Sequence, residues 1–440
     1  MLNEDLRILL ALEPVWTVSI NGAEFVPANA ADIEIRDSTL RFNRQNRKIL
    51  EIDWLRPNVP RIRTHADVLT FYPGSVLPDK IETRRRRKAF QTQLARALAA
   101  HFEIRMPVKQ SLGRSGMYPQ FVLGNRAVIA VDPDESSPVV CGIMRAAVAW
   151  SNQIQLRISV VVPAGRSHTI VTRLNSMPAL RASFDWLQWN GTTIEPLEMN
   201  LPESETHVHE YREPNVAAEV ARICSLAPDL LQAVPYIPGN AVSIRLRGLE
   251  VAHVTEAGTT YPMGEPLQPL IESLASERRH GSRHPLARAY EERWLESNLI
   301  CHIRDVLPVR AGQIYPQVPS FVGQDRNIID LLTITEAGRL VVIEVKASAD
   351  PDLPFQAFDY WLAVERHRKA GDFQAKGYFR GLEIQDEPAL LVVVAPLLAF
   401  HRTLDGLVSM LPHDLPLMQI GINQSWKREI KILRRKGALG

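Results

Sequence analysis

Three residues of this chain combine types and spacing suited to attack on a phosphate ester: Asp330, Glu344 and Lys346. They lie in Asp325-Arg-Asn-Ile-Ile-Asp330-Leu-Leu-Thr-Ile-Thr-Glu-Ala-Gly338-Arg-Leu-Val-Val-Ile-Glu344-Val-Lys346. Two β-like runs, Ile328–Thr335 and Arg339–Val345, flank Glu336-Ala337-Gly338, and a three-residue loop in which glycine supplies the left-handed conformation is a common hairpin connection. Pairing Thr335 with Arg339 carries Asp330 to a position opposite Glu344, where Cβ atoms are about 5 Å apart. Residues i and i+2 share a strand face, so Lys346 lies beside Glu344. Carboxylates buried among Ile, Leu and Val cost several kcal/mol unless paired or bound to a metal. Two of them suit a hard cation such as Mg2+, with Mn2+ as substitute, which takes one or two carboxylates and keeps several waters. The expected chemistry is attack of an activated water on phosphorus, with the lysine positioning a phosphate or polarising the water.

The elements around this hairpin sharpen the expectation. A helix follows in Leu353-Pro-Phe-Gln356-Ala-Phe-Asp-Tyr360-Trp-Leu-Ala-Val, with Gln356 and Tyr360 four apart and so on one face. The apolar run Leu390–Ala395 reads as the next strand. An acid, thirteen residues, Glu-x-Lys, then Gln-x3-Tyr on the following helix resembles the PD-(D/E)XK nuclease superfamily, which includes restriction endonucleases, RecB-like nucleases and archaeal Holliday-junction resolvases. Ile329 stands where the family name has proline. The resemblance covers roughly residues 285–400 and implies a restriction-endonuclease-like α/β core with a mixed sheet. It also implies Mg2+-dependent cleavage of phosphodiester bonds, in DNA more than RNA, with Asp330 and Glu344 as metal ligands and Lys346 as the water-orienting group. Gln356 and Tyr360 would support that strand or a phosphate. The family places a further glutamate on the helix before the hairpin, which falls on Glu296, as metal ligand or its neighbour, with Glu292 as rival. Glu429-Ile-Lys431, with Asp414 upstream, repeats the short motif but lacks the glycine hairpin and the following helix.

The rest of the chain is ordinary in composition. It has 440 residues, 45% hydrophobic and 23% charged, so it is globular and long enough for two or three domains. With 51 Lys+Arg against 49 Asp+Glu it is nearly neutral, which excludes a binder that coats nucleic acid by bulk charge but not a local basic groove. Three scattered cysteines, Cys141, Cys224 and Cys301, do not form a disulfide framework. The longest uncharged apolar run, Leu390–Phe400, contains a proline and is too short to span a bilayer. The expectation is a cytoplasmic protein away from the membrane, with nucleic acid as partner and with room for self-association or partner proteins. No Walker or Rossmann glycine pattern occurs.

Along the chain we expect a small β-rich region at 1–75, an α/β domain at 76–262, a linker at 263–284 and the nuclease-like domain at 285–440. Residues 83–165 echo 285–396 in element order, and both carry Tyr-Pro-Gln, at 118–120 and 315–317. Aligning Ala127–Asp132 with Val341–Lys346 sets Ala130 at the glutamate and Asp132 at the lysine, with Gly142 and Ala146 at the Gln-x3-Tyr positions. On this reading the first copy is degenerate, although similar α/β units give such echoes by themselves. Arg84–Lys88 reads first as a solvated basic face, whereas Arg278-Arg279-His280 with Arg283-His284 leans towards phosphate contact. Trp186 and Trp189 read as packing before base stacking, and His207-Val-His209-Glu210 offers metal donors without supporting context. Two alternatives stay open here: a silent nucleic-acid-binding protein that keeps the fold, and a nuclease subunit active only when assembled in a repair or defence complex.

Overall fold

Leu340–Val345 is a run of Leu, Val and Ile broken only by Glu344, the pattern of a strand covered on both faces. In the computed structural model all six residues are buried. The structure describes residues 2–437 except 12, 14, 22–23, 57–58, 75–79, 105–108, 114, 201–206, 265 and 323–324. Leu340–Val345 pairs antiparallel with Asp325–Thr335 through Leu331↔Ile343, Leu332↔Val342, Thr333↔Val341 and Ile334↔Leu340, the register expected from the sequence. The turn is closed by Thr335 N–H donating to the Arg339 carbonyl at 2.8 Å and Gly338 N–H donating to the Thr335 carbonyl at 3.0 Å. Gly338 has φ +97°, and a Cβ there would sit 2.7 Å from the Glu383 carbonyl oxygen, so this position excludes a side chain.

On its other edge Leu340–Val345 runs parallel to Leu390–Pro396, from Val341↔Leu390 to Val345↔Val394. The crossover is the helix Leu353–Ala370, which has Pro354 in its first turn and ends on Gly371 in the left-handed conformation. Val309–Val322, Asp325–Thr335, Leu340–Val345, Leu390–Pro396, Leu417–Ile422 and Ile432–Lys436 make a six-stranded sheet in sequence order.

A second six-stranded sheet, also in sequence order, comprises Lys109–Ser111, Gln120–Leu123, Arg126–Ala130, Arg157–Pro163, Asp185–Trp189 and Ile194–Pro196. Its second and third strands are antiparallel and its third and fourth parallel, as in the first sheet. Its crossover helix is broken at Gly142 into Ser137–Cys141 and Ile143–Ser151. The echo between 83–165 and 285–396 is therefore a repeat of topology, but its residue alignment needs correcting. Lys346 N–H donates to the Val394 carbonyl, and Val131 N–H to the Val161 carbonyl. Matching these ladders puts Glu344 over Ile129 and Lys346 over Val131, one residue from the expected Ala130 and Asp132. Gln120, paired with Ile129, takes the place of Asp330. The Tyr-Pro-Gln triplets are not counterparts: Tyr118–Gln120 enters the second strand of one sheet, while Tyr315–Gln317 lies inside the first strand of the other.

The chain forms two bodies, each discontinuous in sequence. One contains residues 1–78, 211–317 and 422–432, and the other contains 79–210, 318–421 and 433–440. This differs from the expected division into consecutive domains. In the first body a seven-stranded antiparallel sheet from Val15–Pro73 buries Trp16, Phe42 and Phe71, and Ala289 joins that core. A four-stranded sheet from Leu231–Thr260 packs with helices Ala217–Cys224 and Leu267–Glu277. The segment expected as a linker, 263–284, is thus part of a core, because Leu270, Ile271 and Leu274 recur at helical spacing and are buried. The helix that carries Glu296 is Glu291–Cys301, and Tyr290, with a φ of +49°, precedes its first turn. Among the described residues no helix is long and apolar enough to cross a membrane.

Gly338→Ala should destabilise the protein by about 1–3 kcal/mol, because it forces a left-handed alanine against a carbonyl. Urea unfolding of the variant beside wild type measures this.

Candidate active site

The hairpin delivers three charged side chains to one place. Glu344 is 1% exposed and Lys346 9% exposed, and Lys346 Nζ lies 3.0 Å from Glu344 Oε1. Asp330, one step beyond the Leu331↔Ile343 pair, accepts the Val345 N–H on Oδ2 at 2.8 Å. Asp350, in the turn after the strand, approaches Lys346 at 3.9 Å. Glu344 would be costly in this apolar strand without its ammonium partner, since a buried charge keeps its ionised form only when compensated.

Gln356 and Tyr360 lie together on the following helix, as their spacing requires, and the Gln356 side-chain amide donates to the Tyr360 hydroxyl at 2.8 Å. Burial pushes the Tyr360 phenol well above the usual tyrosine range, and the negative charges of Glu344 and Asp330 push the same way. Gln356 and Lys346 oppose that shift. Tyr360 therefore stays a neutral hydroxyl within electrostatic reach of all three charged residues. The structure brings five of the six expected site residues together: Asp330, Glu344, Lys346, Gln356 and Tyr360.

The sixth, Glu296, belongs to the other body and has its own partners. It is 2% exposed, accepts from Arg245 Nη1 at 2.9 Å and is also bonded by Gln317 Nε2. Arg245 in turn donates to Ser243 Oγ at 3.1 Å. These contacts account for Glu296 as one half of a buried ion pair. Among the described residues no group of three or more His, Cys, Asp or Glu side chains is placed to hold a metal ion, the His207–Glu210 stretch included. The short motif repeated at Glu429–Lys431 is a surface ion pair, with both side chains about three-fifths exposed.

The basic clusters also have internal duties. Arg278, read as a phosphate contact, is fully buried. Its guanidinium donates to the carbonyls of Arg247 at 2.9 Å and Ala289 at 2.6 Å and stacks over Trp294 at 4.8 Å. In the run Arg84–Lys88, Arg86 and Arg87 turn inward rather than facing solvent. Arg86 reaches Asp132 Oδ2 at 3.0 Å and Glu135 Oε1 at 2.6 Å, and Arg87 holds both oxygens of Glu135 at 2.7 and 3.0 Å. Trp189 packs edge-on against Phe90 in the core, as expected. Among the described residues Cys141, Cys224 and Cys301 form no disulfide.

Sequence reading took Asp132 only as a stand-in for the lysine and missed the buried acids Glu135 and, on the helix that carries Gln356 and Tyr360, Asp359 and Glu365. The signal for Asp359 was present as one acid in an otherwise apolar and aromatic helical stretch, Phe355-Gln-Ala-Phe-Asp-Tyr. No protein-family model matches this chain, and no curated protein matches its sequence.

Burial opposes ionisation of Glu135, but the Arg87 and Arg86 guanidinia outweigh it and hold the carboxyl below its usual 4.5. A depressed folded-state pKa stabilises the protein above the unfolded value and loses that contribution as pH falls through the folded one. Glu135→Gln should therefore lower the thermal midpoint near pH 7, and the gap from wild type should close as the pH drops below about 4. Melting curves across pH 2–7 test this.

Proposed function

We propose that this chain is a metal-dependent nuclease of the PD-(D/E)XK type, hydrolysing phosphodiester bonds in DNA more than in RNA, on a restriction-endonuclease-like core formed by the sheet that carries Asp330 and Glu344. One observation carries the reading: two carboxylates from adjoining strands and a lysine converge on a buried hairpin face, beside a helix presenting Gln356 and Tyr360. The strand order, with an antiparallel hairpin followed by a helical crossover to a parallel strand, supports it.

The donor set fits Mg2+. Asp330 and Glu344 supply hard oxygens on neighbouring strands, and such an ion commonly takes one or two carboxylates and completes its shell with water and substrate oxygens. When bound, the ion supplies Lewis-acid polarisation of the phosphate and lowers the pKa of a coordinated water. The other roles belong to the protein. Lys346 orients the attacking water and offsets charge gathering on the phosphate oxygens. Glu344 keeps that ammonium in place. Tyr360, neutral and bonded by Gln356, donates its hydroxyl proton towards the carboxylates or a phosphate oxygen without adding negative charge. Asp330 braces the strand end by accepting the Val345 N–H.

Purified full-length protein should cut single-stranded, duplex or branched DNA in Mg2+ and stop when the metal is chelated. Asp330→Asn, Glu344→Gln and Lys346→Met should each slow cleavage by about 100-fold or more while melting as folded proteins. Cleavage that persists in the Asp330→Asn/Lys346→Met double variant would place the chemistry elsewhere. A wild-type chain inert on all three substrates would remove the nuclease reading.

A further inference from the structure

The Gln356–Tyr360 pair is held by the helix Leu353–Ala370, and that helix is gripped by residues from the topological repeat rather than by its own sheet alone. Asp359 lies between Gln356 and Tyr360 in sequence and is 6% exposed. Arg173, from the helix His168–Ser176, donates to both of its oxygens, Nε to Oδ1 at 2.9 Å and Nη2 to Oδ2 at 2.6 Å. The same guanidinium lies 5.4 Å over the Phe355 ring and contacts Met144 Sδ at 3.8 Å. A second pair grips the start of the helix: Arg145 Nε donates to Asp352 Oδ1 at 2.8 Å. Asp352 N–H in turn donates to Asp350 Oδ1 at 2.8 Å, and Asp350 is the acid 3.9 Å from Lys346.

These contacts lie at the rim of a cleft of about 400 Å3 between the two α/β halves. Cys141, Thr169 and Arg173 line one wall, and Asp350, Asp352 and Gln356 line the other. Gln356 thus stands at the junction of the halves as well as in the proposed site.

A buried bidentate ion pair is a poor way to gain stability, since apolar residues of similar volume commonly serve as well or better. What it provides is direction, because the guanidinium fork fixes distance and angle to both carboxylate oxygens. A helix packed only through apolar contacts can turn or slide by a fraction of a residue. One fork at its middle and one at its first turn oppose both movements.

We propose that Arg173, assisted by Arg145, is a positioning residue of the nuclease site: the half without acid–acid–lysine chemistry holds the Gln356–Tyr360 helix in register with Glu344 and Lys346. This rests on the nuclease reading for its effect on catalysis, but the clamp has a readout of its own.

The test compares full-length wild type with Arg173→Met/Asp359→Leu, which exchanges the ion pair for an apolar one and avoids a stranded charge, and with Arg173→Lys, which keeps the charge and loses the fork. The double variant should melt as a folded protein. Its amides in 353–364 should exchange with deuterium about tenfold faster while those of the hairpin strands keep their rates. Its kcat on DNA should fall about tenfold to a hundredfold at unchanged KM. Arg173→Lys should fall between the two. Unchanged exchange in 353–364 overturns the clamp, and faster exchange with wild-type kcat overturns the positioning role. A wild-type chain that cuts nothing overturns the reading of the site, and exchange alone then decides whether Arg173 fixes the helix.

Discussion

The contact between Lys346 and Glu344 sets the terms for the structure around it. A carboxylate in a strand with no exposed residue and an ammonium just past its end, 3.0 Å apart, must be delivered together and kept together. Either alone would be driven to its neutral form or out towards water. The requirement explains why the strand is central in its sheet, why the hairpin register tolerates no slip and why the turn holds a glycine. A shift of one residue would turn Glu344 and Lys346 to the opposite face. It also explains the company they keep: a carboxylate that accepts a backbone amide, and a phenol that stays protonated.

The same rule of paired burial recurs where no chemistry is proposed. Asp132 and Glu135 are matched by Arg86 and Arg87, Glu296 by Arg245, and Asp359 by Arg173. Arg278 is solvated by backbone carbonyls instead. The two six-stranded sheets share strand order, yet they treat the junction of strand and crossover differently. One places an acid and a lysine at the third strand, and the other has Ile129 and Val131 at the matching positions. The second sheet thus repeats the topology without an acid and a lysine at those two positions.

How much of this could be read from the sequence depended on range. The hairpin and its register were legible because local rules fix them: a glycine in a three-residue loop, two apolar runs, and side chains alternating between faces. The Gln356–Tyr360 pair followed from helical spacing. Pairings across long stretches were not legible. Arg86 looked like part of a solvated basic run because its partners stand 46 and 49 residues away. Glu296 looked available because Arg245 lies 51 residues earlier in an unremarkable strand. The repeat was recognisable in outline but misaligned by one residue, since Ala127–Val131 is uniformly apolar and nothing in its composition marks which face a residue takes. The bodies were missed as units because each is assembled from separated stretches of chain, which no shift in composition announces.

That assembly from separated stretches bears on how the molecule comes into being. The seven-stranded sheet is built from neighbours in sequence, but its core takes in Ala289, and the first body as a whole takes in residues 422–432. The second body likewise needs residues 318–421 beside 79–210. A ribosome delivering this chain from its N-terminus at about 5–20 residues per second will have made most of it before either body can close. The early-made sheet Lys109–Pro196 must therefore wait with part of its packing surface uncovered. Arg173 and Arg145 can meet their acids only after Asp352 and Asp359 have emerged, so the helix that carries Gln356 and Tyr360 cannot be clamped before both stretches have been made.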